Sequence, residues 1–227
     1  MNTAKVDPNN PSEAANTREK ILLTALKLFA EQGFERTTVR QIVKVAEVNI
    51  SAISYYFGDK SGLYKAAYME PMGCPTEDIS LFDNPELSLE DALFGVFSGF
   101  IAPLKQGELV KQCMRLHMRE MVEPTGVWSQ MIDNEITPHH QALLQVLKRH
   151  LGLDKIDDDL HRLATCVVAM GVILFAGRDV IEKTCPQIIY TDEALDITHA
   201  RMVTYAVSMV EAERTRRKIE KNAHETK

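Results

Sequence analysis

Cysteine is scarce: Cys74, Cys113, Cys166 and Cys185 stand far apart, and no C-x-x-C pair occurs. That spacing offers neither a zinc site nor a thioredoxin-like motif, and the thiols are expected to stay reduced. Isolated among apolar residues, Cys113 reads as inert packing. The N-terminal stretch MNTAKVDPNNPSEAANTREK has no apolar h-region, so it is not a secretory signal. Long apolar runs are lacking too. Leu163–Ala176 is interrupted by Thr165 and Gly171 and followed by Arg178, which reads as too short and too polar for a span of about 20 residues. These absences predict a cytoplasmic protein with no membrane segment. Catalytic signatures are missing as well: there is no G-x-S-x-G, no glycine-rich phosphate loop and no H-E-x-x-H. His139 and His140 are neighbours on one helix and point about 100° apart, which opposes shared chelation. His117 beside Glu120, His150 and His161 form no better set. No metal, no cofactor and no enzyme activity are expected.

What is present is a chain of 227 residues, 45% apolar, enough to bury a real core in one or two domains. Its net charge of −6 is unevenly placed: residues 1–68 hold nine Lys/Arg against seven Asp/Glu, and the rest holds 17 against 25. Nucleic-acid binding depends on local charge facing phosphates, so the total does not exclude it.

Helix signals dominate, strand signals are nearly absent, and no internal repeat occurs. After a disordered tail over residues 1–15, Asn16 and Glu19 give a capping-box start. Ile21, Leu22, Ala25, Leu28 and Phe29 then recur at helical spacing, and Gly33 reads as the C′ residue. A second helix starts at Thr38, with Gln41 at the capping-box position. A break at Glu47-Val48 leads to Asn49 as N-cap of a third helix, Ile50–Phe57. A fourth runs from Asp59 to about Met72, and residues 73–88 read as a loop. Further helices are predicted over 88–104, 107–122, 127–151, 157–184 and 192–222, with Pro138 kinking the third of these.

Residues 38–57 carry the functional signal. Two short helices three residues apart, with Val39, Ile42, Val43, Val48, Ile53 and Phe57 inward, form a helix-turn-helix. Ile53 and Phe57 lie four apart, which leaves Asn49, Ile50, Ser51, Ser54 and Tyr55 on the outward face. Small and polar residues there suit a major groove about 12 Å wide. Tyr55, Tyr56 and Lys60 cluster where hydroxyls and an ammonium reach phosphate oxygens.

With its apolar first helix and the Tyr55-Tyr56-Phe57-Gly58-Asp59-Lys60 ending, the segment 17–68 resembles the DNA-binding domain of the tetracycline-repressor (TetR) family. The resemblance implies that Thr38 contacts phosphate and that Arg40 reaches a base edge or the backbone. It implies that Asn49, Ile50, Ser51 and Ser54 face bases, while Tyr55, Tyr56 and Lys60 hold the backbone. Two positions depart from the family pattern. Glu47 stands where glycine is frequent in the turn, so a left-handed conformation there is costly. Ile50 replaces a Lys or small residue and suits a thymine methyl. The run REMVEPTGVWSQMIDNEITPHHQALLQVL, with Asn-Ile-Ser-Ala-Ile before it, further resembles a CerR-like subgroup.

The family implies an all-α fold of about nine helices: a helix-turn-helix domain over 16–68, a ligand-binding and dimerisation domain over 69–222, and a tail over 223–227. Its partners are double-stranded operator DNA, a small-molecule effector and a second copy of the chain. The two long C-terminal helices would form the homodimer. Leu163, Val167, Met170 and Leu174 lie on the first of them, and Ile197, Met202, Tyr205, Ala206, Met209 and Val210 on the second. The charged ERTRRKIEKNAHETK is expected to fray. Phe97, Phe100, Met114, His117, Met118, Met121, Trp128, Met131, Met170 and Arg178 are candidates for an effector pocket, each also readable as core. A helical enzyme or adaptor with an idle helix-turn-helix is the alternative reading.

Overall fold

The computed structural model describes residues 11–71 and 79–225. Tail residues 1–10 and 226–227, and the Cys74 end of the predicted loop, lie outside the described residues. Among the described residues all regular structure is helical: α1 (Pro11–Arg36), α2 (Val39–Ala46), α3 (Ser51–Phe57), α4 (Lys60–Met69), α5 (Leu89–Lys105), α6 (Glu108–Val122), α7 (Val127–Met131), α8 (Thr137–Leu151), α9 (Asp158–Ala176), α10 (Arg178–Thr184) and α11 (Asp192–Glu225). A π-turn, Ile132–Ile136, joins α7 to α8, and a 3-10 turn, Pro186–Ile188, precedes α11.

Several boundaries correct the sequence reading. α1 begins at Pro11, so Asn16 is inside the helix and not its cap. The predicted helix 127–151 runs without a break, but its register changes at a π-turn, Ile132–Ile136, in the turn that precedes Pro138. The stretch 157–184 divides at Gly177 into α9 and α10.

The chain forms two compact units. One comprises residues 1–74 and 106–130; the other comprises 75–105 and 131–227. Helix α6 packs within the first unit, against α1 and α4. In the first unit α1 supplies the wall. Ile21, Ala25 and Phe29, with Leu22, Leu26 and Ala30 one position on, are all buried, whereas Leu28 is only half-buried. They pack with Ile42, Ile53, Leu63 and Leu116, the framework that carries α2 and α3.

The second unit has one core, built from Leu93 and Phe97 of α5, Leu143, Leu144 and Leu147 of α8, Leu160, Leu163 and Val167 of α9, and Met202, Ala206 and Val210 of α11. Gly171 permits a close approach: a Cβ there would lie 2.4 Å from the Phe100 ring. The start of the charged C-terminal segment is anchored at Glu213, Arg216 and Arg217. Arg217 donates to both oxygens of Asp157 at 2.7 and 2.8 Å, and Arg216 donates to Asp159 at 2.7 Å. Glu213 accepts from both arginines. The Arg217 bond holds the Asp157 carboxyl well below the usual carboxylate range, and Asp157 also caps α9 at Leu160 N–H.

Helix α9 corrects one expectation. Its 19 residues are long and apolar enough, by length and composition, to cross a membrane. It starts five residues before the stretch judged from sequence. Leu160, Leu163, Ala164, Val167, Gly171 and Leu174 form one stripe at helical spacing, buried in the core of the second unit. The opposite stripe is exposed.

Candidate nucleic-acid interface

Three local devices build the interface. The first is the entry turn. Gly33 has φ 82° and ψ 170°, a region open only to glycine, and it turns the chain within the last part of α1. The buried Thr37 hydroxyl donates to the Gly33 carbonyl at 2.8 Å and the Leu28 carbonyl at 3.2 Å, tying the end of α1 to the start of α2. Sequence reading placed Gly33 but not Thr37, whose only signal is its adjacency to the cap.

The second device is the capping box of α2. Thr38 Oγ1 accepts from Gln41 N–H at 3.2 Å, and the Gln41 side chain accepts from Thr38 N–H at 2.8 Å, as the spacing predicted. Thr38 thus positions α2, and its exposed hydroxyl sits at the helix start. Arg40 is exposed in the first turn.

The third is the turn into α3. Glu47 has φ 53° and ψ 42° and is the lone positive-φ non-glycine among the described residues. This is the strained position anticipated from the missing glycine. Its carboxylate pairs with Lys20 Nζ at 3.3 Å on an exposed surface, a contact worth little. Glu47→Gly should therefore raise stability by about 0.5–1 kcal/mol, because relieved strain of about 1–2 kcal/mol exceeds the added chain entropy. It should also tighten DNA binding by removing a like charge. Urea unfolding and duplex anisotropy measure both; a lower unfolding midpoint would refute the strain argument.

Asn49 Oδ1 accepts from the Ser51 N–H at 3.0 Å and its hydroxyl at 2.9 Å, which starts α3. On α3, Ile53 is buried, and Asn49, Ile50, Ser51, Ser54 and Tyr55 are exposed. Phe57 is half-buried, as are Val39, Val43 and Val48, and the Arg18 guanidinium of α1 covers its ring at 4.9 Å. Tyr56 is half-buried edge-on to Tyr55. The Lys60 ammonium lies 4.1 Å over the Phe34 ring, at the start of α4, whose Asp59 cap accepts from Gly62 N–H at 2.8 Å. Among the proposed contacts Lys60 is thus held by a cation–π contact, and sequence spacing carries no signal for that.

The pocket candidates are shared between the two units. Met114, His117, Met118, Met121 and Trp128 fall in the first unit; Phe97, Phe100, Met131, Met170 and Arg178 fall in the second. Phe97 is sealed in the core, and Arg178 donates to Glu182 at 2.7 Å. His117 donates from Nε2 to the Tyr68 carbonyl at 3.2 Å, and burial pushes its pKa down. A cleft of about 460 Å³ in the first unit is lined instead by Phe34, Glu35, Tyr64, Arg119, Pro124 and Thr125. Among the described residues no three metal-ligating side chains cluster.

Comparison with known proteins agrees with this geometry. The family described as bacterial regulatory proteins, tetR family, matches residues 21–67, and the C-terminal domain of the HTH-type transcriptional dual regulator CecR matches residues 89–212. CecR thus takes the place of the CerR-like label. The HTH-type transcriptional repressor BepR of Brucella suis biovar 1 is 37% identical over 160 residues, 68% of this chain and 72% of that protein. The probable regulator YttP of Bacillus subtilis is 50% identical over 48 residues, 21% of this chain and only 23% of that protein. A tetR-family regulatory protein from Rhodococcus RHA1 shares the fold at TM-score 0.63 and 19% identity, covering 86% of this chain and 96% of that one. The chain belongs to the tetR family of bacterial regulatory proteins: it is an all-α helix-turn-helix transcription regulator, not an enzyme, with a CecR-type C-terminal domain.

Proposed function

We propose that the protein is a ligand-responsive repressor that binds a palindromic operator as a homodimer and leaves it when a small-molecule effector binds. The observation that carries this is the exposed row Asn49 and Ile50 at the entry to α3 with Ser51, Ser54 and Tyr55 on it, backed by the buried Ile53. Those residues reach base edges, while Thr38, Tyr55, Tyr56 and Lys60 hold phosphates and Arg40 reads a base or the backbone. One short helix makes few base contacts, so operator affinity requires two copies, with half-sites about one helical turn apart.

The exposed faces of α9 and α11 supply the dimer contact. Cys166, Ala169 and Ile173 form an exposed small and apolar stripe on α9, and Ile197 and Tyr205 are exposed on α11. This revises the seam read from sequence, since Leu163, Val167, Leu174, Met202, Ala206 and Val210 fill the core of their own chain. Such a pairing buries the outer stripe of α9 and fits a cytoplasmic protein. The effector site is left to the middle helices α5–α8, and the effector acts only through different affinities for the two head arrangements.

Lys60→Ala tests the interface. Binding to all duplexes should weaken about tenfold per half-site, with the salt slope falling by about 1 per half-site. Ser54→Ala should change operator preference instead. Fluorescence anisotropy across a salt series reads both, and an unchanged slope for Lys60→Ala would remove Lys60 from the interface.

A further inference from the structure

Helix α7 is the first turn of a helical run that continues through the π-turn into α8, and none of its five side chains is buried. The first amides of such a run have no partners within it. Its start is held by one carboxylate, that of Glu120 on α6, which is fully buried. Oε1 accepts from the Thr125 N–H at 2.7 Å, the Thr125 hydroxyl at 2.9 Å and the Trp128 N–H at 3.2 Å. These include donors that a helix start leaves without intrahelical partners.

The other oxygen, Oε2, accepts from the Tyr64 hydroxyl at 2.5 Å. Tyr64 lies on α4, one turn after Lys60. Its ring packs edge-on against Phe34, the ring beneath the Lys60 ammonium. Burial and the Glu120 bond push the Tyr64 hydroxyl pKa well up, so it remains a donor. Beyond α7 the chain enters the π-turn, a rare geometry found mostly as single turns inside longer helices.

We propose that Glu120 is a positioning residue for DNA contact: it joins the helical state of α7 and the seating of α4 into one cooperative arrangement. Whatever draws Thr125 and Trp128 off the carboxylate loosens Tyr64, and α4 with it. By reciprocity, fixing α4 on DNA tightens residues 125–128. The inference rests on the reading of α3 and the start of α4 as the DNA face, and it gives residues 120–128 a part in regulating that face.

Trp128 is the single tryptophan, so its emission reports on α7 without a label. The full chain is titrated with a fluorescein-labelled mixed-sequence duplex at low salt, with binding followed by anisotropy and α7 by Trp128 emission. The wild type should show a saturable emission change parallel to binding. Tyr64→Phe should bind about fivefold more weakly, the equivalent of one hydrogen bond, and its Trp128 emission should no longer respond. If Tyr64→Phe fails to fold by circular dichroism, Thr125→Val cuts the other side of the hub and should silence the response likewise. Duplex binding by the wild type with flat Trp128 emission overturns the hub and leaves the DNA face standing. A folded variant that responds like the wild type does the same. No duplex binding by the wild type overturns the DNA face and the hub together.

Discussion

Ile173→Glu should convert the protein to a monomer and lower its affinity for a palindromic operator about a thousandfold. Ile173 is 53% exposed on the outer stripe of α9, beside Ala169 and Cys166, while the inner stripe is occupied by its own core. A substitution there leaves the intrachain core intact. In the proposed dimer it places two like charges, related by the two-fold, in an apolar contact, which costs several kcal/mol without a partner. Losing the dimer removes the gain from joining two half-sites, on the order of 10²–10⁴ in affinity. Sedimentation equilibrium gives the mass, and anisotropy on a palindrome recovered by genomic-fragment selection gives the affinity. Weak, salt-sensitive binding to any duplex should survive, because each helix-turn-helix remains folded. An Ile173→Glu dimer with wild-type operator affinity would move the interface to another face.

Gly33→Val should destabilise the first unit by about 3 kcal/mol, through backbone strain and overpacking together. At φ 82° and ψ 170° a β-branched residue has no unstrained conformation. Space is short as well, since even a Cβ would lie 3.2 Å from Arg119 Nη1 and 3.3 Å from Glu123 Oε2. If the chain instead relaxed the turn toward helix, the Gly33 carbonyl would leave the Thr37 hydroxyl, and α2 would lose its register on α1. Either route lowers DNA binding and stability together, which urea unfolding and duplex anisotropy would show. Wild-type stability would mean the turn is looser than its geometry implies.

Much of the DNA face was legible because its signals are local. The Thr38 and Gln41 box depends on residues three apart, and the outward row of α3 follows once Ile53 faces in. The cost at Glu47 could be read from a missing glycine, and the backbone there does take the left-handed conformation. The cation–π contacts of Phe57 and Lys60 left no such local signal, since Arg18 and Phe34 come to them from a helix 26 residues long that begins well before them.

In the C-terminal part, periodicity shows that α9 is apolar on more than one side, and it does not say which stripe is turned inward. Leu163 and Val167, chosen for the dimer seam, close the chain's own core, while Ala169 and Ile173 stay outside. A Met or Phe has the same apolar character in a core as beside a ligand, and the chain distributes them between two units.

By itself, then, the sequence determined the helical class, the helix-turn-helix with its caps and turn, and the family, because each depends on spacings of a few residues along one chain. Only the tertiary structure decided that α6 packs against α1 and α4 and that Glu120 joins Tyr64 to Thr125 and Trp128. Glu120 and Tyr64 are 56 residues apart. A hydrogen bond across that separation leaves no periodic trace: it exists only when packing brings both groups out of water and each must satisfy the other.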